Sequence, residues 1–121
     1  MASMCEATTR VLPGAAVIEL SGEVDGSAAD VLTNAYQTAV GTHADLGTVV
    51  LDFAAVDYIN STGIALIVGI LARARADARP VAARGLTEHY REIFEITRLS
   101  DFMTILADEQ SPQRDEQGEP R

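Results

Sequence analysis

At 121 residues the chain is sized for one domain, and its 47% apolar content is enough to bury a core, which excludes global disorder. Its formal charge is −9, with 18 acids against nine basic residues, all of them Arg, so no cationic footprint for nucleic acid or anionic lipid is expected. The absence of Lys rules out Schiff-base chemistry on a lysine and the P-loop.

The lone cysteine, Cys5, has no partner for an internal disulfide, and its neighbour Glu6 does nothing to lower its pKa. It reads as an inert thiol in a frayed N-terminus. The start lacks a basic segment followed by an apolar one, so a secretory signal is not expected. The longest apolar stretch, Ile64 to Ala72, is interrupted by Gly69 and is too short to span a bilayer. These features imply a cytoplasmic protein with no direct membrane binding.

In chain order, residues 7–12 and 15–21 flank Pro13-Gly14, a turn dipeptide, and predict a hairpin. In its second arm Ala16, Ile18 and Leu20 alternate with Val17, Glu19 and Ser21, as a strand with one buried face should. Ser27 suits a helix cap with Asp30 reaching back, and Ala28, Val31, Leu32, Ala35 and Ala39 follow at helical spacing until Gly41 provides a stop. After a polar loop over 42–47, residues 48–53 (Thr-Val-Val-Leu-Asp-Phe) read as a central strand covered on both sides. A second helix is expected from Ser61 or Thr62 to Asp77, a short strand at 80–83, and a third helix from near Thr87 with Tyr90, Ile93 and Phe94 on one face. Residues 102–106 form a last short strand or helix start. The domain therefore spans 1–107, and 108–121 is an acidic tail expected to be disordered. Strand and helix alternate after residue 47, which implies right-handed crossovers and a largely parallel sheet, with the hairpin making it mixed.

The stretch from Asp52 to Leu66 carries the functional information. A strand ends, a short loop follows, and a helix begins at Asn60-Ser61-Thr62-Gly63. The first amides of a helix are unpaired and its dipole favours anions there, so a phosphate on Ser61 would sit beside those donors. Within the helix Ile64, Ile67, Val68 and Leu71 form an i, i+3, i+4, i+7 stripe expected to face the sheet, leaving Leu66 and Ile70 as an apolar patch near Ser61 if they are exposed. The plainer alternatives are that this helix is buried more widely and that Ser61 is an ordinary cap. Thr62 is the alternative phosphoacceptor.

These residues resemble those of the STAS-domain family, the anti-sigma-factor antagonists of bacterial partner-switching systems. The resemblance rests on Leu51-Asp52-Phe53, on Ser61-Thr62-Gly63 followed by the apolar run from Ile64 to Gly69, and on Ser21-Gly22-Glu23-Val24-Asp25. Ile93-Phe94, Thr97-Arg98-Leu99 and Phe102 extend it to roughly residues 15–106. It implies an α/β single domain, a mixed sheet with three or four helices packed mainly on one face. It further implies phosphorylation of Ser61 by an anti-sigma factor of the histidine-kinase-like ATPase fold. The unphosphorylated protein would bind that kinase and release a sigma factor, and a phosphatase would reset the switch. Glu23, Asp25, Asn60, Ser61, Thr62, Gly63, Leu66 and Ile70 are the expected partner-binding residues. Asn60 stands where the family commonly has Asp, which leaves room for a stressosome-type scaffold role, and the family's terminal helix looks short here. STAS-like domains also serve as accessory subunits of transporter complexes, though the Ser61-Thr62 pair favours the switch.

No catalytic constellation is found, and no metal or cofactor is expected. A receiver domain would need an acidic pair after the first strand and a late lysine besides Asp52. His43 and His89 are separated by a predicted strand and helix, too few and too far apart for a metal site.

Overall fold

The computed structural model of the chain describes residues 4–42 and 47–106. Five strands form one mixed sheet: β1 (Glu6–Leu12), β2 (Ala15–Val24), β3 (Thr48–Ile59), β4 (Val81–Arg84) and β5 (Thr104–Ile105). Their spatial order equals their order in the chain, with β1 antiparallel to β2 and every later neighbour parallel. The parallel neighbours are joined through α1 (Ala29–Thr42), α2 (Ser61–Ala76) and α3 (Glu88–Ile96). Crossovers of one hand that always step the same way along a sheet leave their helices on one face. Accordingly Ala16, Ile18 and Leu20 of β2, Val49, Leu51 and Phe53 of β3, and Val81 and Ala83 of β4 share one core with Leu32, Tyr36, Ile67, Leu71 and Phe94 of the helices. Phe94 meets Phe53 edge to face, ring centroids 5.8 Å apart.

The opposite face alternates with this one. Val17, Val50 and Ala82 lie in register across it, as do Glu19, Asp52 and Arg84. Arg84 Nη2 pairs with Asp52 Oδ2 at 3.0 Å, and Arg10 Nε with Glu19 Oε2 at 3.1 Å. The sequence predicts a β3 covered on both sides, and the cover is unequal: Thr48, Val50 and Asp52 are half-buried while Val49, Leu51 and Phe53 are buried.

Several local expectations are corrected. β3 does not end at Phe53 but continues to Ile59, because β2 runs alongside it through two register shifts. Gly22, at φ +83°, supplies the backbone conformation that one of those irregularities needs. The first helix is entered through a 3₁₀ turn (Gly26–Ala28) capped by Asp25 rather than by Ser27, and Gly41 lies inside α1 instead of ending it. Cys5 is not frayed: it is buried in the core, and burial foremost, with Asp25 and Glu6 adding, pushes its thiol pKa up. The second helix and its start at Ser61, and the third helix with its Thr87 cap, lie where the pattern put them. His43 and the tail from Asp108 onward fall outside the described residues.

α1 is tied to the far end of α2 by a polar clasp. The Tyr36 hydroxyl, on a side chain only 2% exposed, donates to Asp77 Oδ2 at 2.7 Å. Arg73 stands 6.0 Å from the Tyr36 ring centroid. Burial first, then the bond to Asp77, pushes the Tyr36 hydroxyl pKa up to about 12 from an ordinary 10. The folded pKa is the higher one, so this group contributes stability below pH 10 that is lost as pH rises from 10 towards 12. Urea titrations across that window should show wild type losing stability more steeply than Tyr36→Phe; parallel curves would refute the clasp.

Candidate functional site

The site lies where β3 ends and α2 begins. Ile59 closes the strand with its side chain buried, and the Asn60 amide donates to the Val24 carbonyl at 3.2 Å. Asn60 then caps α2: its Oδ1 accepts from the Gly63 amide at 2.8 Å and its carbonyl from Ile64 at 2.9 Å. A cap residue in extended conformation turns the chain from strand to helix within one residue. Ser61 is therefore the first helical residue, with its side chain exposed, and Thr62 beside it is exposed as well.

Gly63 explains how tightly this end is held. A Cβ on Gly63 would stand 1.9 Å from the Val24 carbonyl oxygen, so only glycine lets α2 come this close to β2. Thr62 lies against the 3₁₀ turn: a Cβ added at Gly26 would meet the Thr62 methyl at 3.5 Å. In that turn Asp25 Oδ1 accepts from Ser27 Oγ at 2.6 Å and from the Ser27 amide at 2.9 Å. The Ser27 hydroxyl first, then its amide, hold the Asp25 carboxyl below the usual carboxylate range. Glu23, half-buried, is paired in register with Tyr58, whose ring is 51% exposed. Glu23, Asp25, Asn60, Ser61 and Thr62 are thus gathered at one end of the sheet.

Two residues of the expected set turn inward. Gly63 is buried against Val24, and Ile70, only 4% exposed, belongs to the core and cannot form an outer patch. Leu66 is half-buried and packs against the core. The inward stripe of α2 is Gly63, Ile67, Ile70, Leu71 and Ala74, whereas Val68 is 45% exposed. The expected stripe was rotated, because the contact at Gly63 sets which face of the helix meets the sheet. A signal for this was present: the stripe through Ile64 and Val68, continued another two turns, brings Arg75 towards the core, while the true one brings Ala74. Outside runs another row, Ser61, Ala65, Val68 and Ala72, small apolar residues in line with the serine.

Sequence reasoning missed Tyr90 as a polar residue; it was read only as part of an apolar helix face. Its hydroxyl accepts from the Ile59 amide at 3.0 Å. No pattern in the chain announces a bond between a side chain and a backbone group 31 positions away.

Chemically, Ser61 offers a hydroxyl open to solvent at a helix N-terminus. Among the described residues no imidazole or carboxylate hydrogen-bonds to it, so the arrangement suits a group delivered from outside rather than a nucleophile activated from within.

The Gly63 contact is directly testable. Gly63→Ala should lower stability to urea by about 1–3 kcal/mol, as overpacking against rigid backbone does. Gly69→Ala on the same helix, where an added Cβ meets nothing within 4 Å, should be neutral or stabilising by up to ~1 kcal/mol. Equal effects at the two glycines would remove the special role of Gly63.

Comparison with known proteins agrees with this fold. The family model described as Mlab, STAS domain matches residues 7–107. No curated protein matches the chain. Among solved structures, the anti-sigma factor antagonist SpoIIAA in its unphosphorylated form is 20% identical, with a TM-score of 0.64 over 87% of this chain and 92% of that one. The phosphorylated form of SpoIIAA, the Bacillus cell fate determinant, is 22% identical, with a TM-score of 0.63 over 87% and 95%. An anti-sigma factor antagonist from Mycobacterium paratuberculosis is 22% identical, with a TM-score of 0.67 over 93% and 89%. At such identities the structural likeness is one of fold. With the family model spanning most of the chain and its five-stranded sheet and three helices in the same arrangement as those neighbours, this protein belongs to the STAS-domain family.

Proposed function

We propose that this protein is a phosphorylation-controlled anti-sigma-factor antagonist of the cytoplasm. Unphosphorylated, it binds an anti-sigma factor that is also a serine kinase of the histidine-kinase-like ATPase fold, and so frees a sigma factor. Phosphorylation of Ser61 abolishes that binding, and a phosphatase restores it.

The observation that carries the reading is an exposed Ser61 hydroxyl on the first residue of α2, at the head of an exposed small-residue row. A partner packing on Ala65, Val68 and Ala72 would cover Ser61 too. A phosphate there adds about −1.5 to −2 charges at neutral pH. Burying that charge without a partner is expensive, and Glu23 and Asp25 at the same end of the sheet offer it none. The switch therefore works by spoiling a docking surface and needs no change of fold. A further point supports it: SpoIIAA, which shares this fold, has been described in both a phosphorylated and an unphosphorylated form.

Asn60, where the family commonly carries Asp, keeps the capping bond while removing a negative charge next to the phosphoacceptor. The same departure favours the second reading, a scaffold STAS protein whose serine is modified by a different kinase.

Labelling with γ-phosphate from ATP and the cognate kinase is the test. Ser61→Ala should lose incorporation, whereas Thr62→Ala should keep it. Ser61→Asp should bind the kinase at least ~10-fold more weakly than wild type in titration calorimetry, the cost of an unpaired interfacial charge. Undiminished labelling of Ser61→Ala would overturn the site, and undiminished binding of Ser61→Asp would overturn the switch.

A further inference from the structure

β3 outruns the strand beside it. β4 pairs only with Val49–Asp52, so among the described residues the seven from Phe53 to Ile59 have β2 on one side and no strand on the other. In a parallel ladder successive amides point to alternate sides. The Asn60 amide points to β2, where the Val24 carbonyl receives it at 3.2 Å. The Ile59 amide points the opposite way, into the gap beyond β4, next to a buried side chain. An unpaired amide there would carry a desolvation cost. α3 fills the gap with the Tyr90 hydroxyl, 3.0 Å from the Ile59 nitrogen.

Tyr90 is placed by the first turn of α3. Its amide donates to Thr87 Oγ1 at 3.3 Å within the cap of α3, and the His89 ring meets its ring edge-on at 4.9 Å between centroids. A continuous covalent and hydrogen-bonded path therefore leads from the α3 cap through Tyr90 to Ile59, then to Asn60 and Ser61.

We propose that Tyr90 is a positioning residue for the Ser61 site: its hydroxyl fixes the last amide of β3, and through it the Asn60 cap that presents Ser61 to the kinase. The inference rests on reading Ser61 as the phosphoacceptor. Ile59 is the residue before the cap, and Asn60 makes three bonds within one residue, to Val24, Gly63 and Ile64. Releasing the Ile59 amide loosens the strand end on which all three depend. The surface offered to a partner is unchanged by the loss, since Tyr90 acts from the side of α3 and the row along α2 keeps its residues. The loss should thus fall on the alignment of the serine oxygen and not on docking.

Tyr90→Phe keeps the ring and deletes only the acceptor. Amide hydrogen exchange followed by NMR should show the Ile59 amide about tenfold less protected, with a smaller effect at Gly63 and none at Ile18 or Leu51. With the cognate kinase, kcat for phosphorylation should fall roughly 3- to 10-fold while KM changes less than about twofold. A merely structural role would instead lower protection everywhere and raise KM while leaving kcat nearly unchanged. Unchanged Ile59 protection, or an unchanged kcat on a labelled wild type, overturns the inference. A wild type that no kinase labels overturns the reading of Ser61, and the exchange rates at Ile59 and Gly63 then decide the Tyr90 contact alone.

Discussion

The Val24 carbonyl is the fixed point of this molecule. It receives the Asn60 amide, and it lies so close to Gly63 that a methyl group on that residue has no room. Two elements far apart in the chain, the end of β2 and the start of α2, are locked at one spot. From that spot follow the rotation of α2, the burial of Ile67, Ile70, Leu71 and Ala74, and the outward direction of Ser61, Ala65, Val68 and Ala72. Hydrophobic burial alone would accept several rotations of so apolar a helix, because residues with large side chains occur on more than one of its faces. A backbone contact that only glycine permits selects one.

The site is accordingly a product of the sheet's end rather than of a pocket. β2 contributes Glu23 and, past its end, Asp25; β3 leads through Ile59 to Asn60; α2 begins with Ser61. Asp25 is held by Ser27 and Asn60 by its capping bond, so the groups flanking the serine are ordered before any partner arrives. Preorganised surroundings reduce what association must spend on ordering side chains. Were Ser61 phosphorylated, as proposed, the phosphate would find the carboxylates of Glu23 and Asp25 at the same end of the sheet.

Much of this was readable in the chain. The hairpin turn at Pro13-Gly14, the alternation of Ala16, Ile18 and Leu20, and the helical start at Asn60-Ser61 are local signals, and local signals survive without knowledge of the fold. What escaped was set by tertiary context. The length of β3 depends on a neighbour that follows it through two irregularities, and residues 54–59 carry too little apolar alternation to announce a strand. The rotation of α2 depends on the Val24 contact, so Val68 and Ile70 exchanged places between expectation and structure. Cys5 is buried where β1 lies against α1, a pairing that its immediate neighbours in the chain, Met4 and Glu6, do not reveal. The Ser-Thr-Gly motif was legible as a serine with a helix behind it, but the glycine's purpose needed coordinates.

Strand order that repeats chain order has a consequence for biosynthesis. Each new strand is laid beside the one made just before it, so no early segment waits for a late one to find its place in the middle of the sheet. Such an arrangement favours stepwise growth as the polypeptide leaves the ribosome, beginning with the β1–β2 hairpin. By the time residue 76 has emerged, β2, β3 and α2 have been synthesised, and Tyr90 follows with α3. The two-residue β5, joined to β4 by the Leu106 amide donating to Ala83 at 2.7 Å, is the last strand made and the edge of the sheet among the described residues.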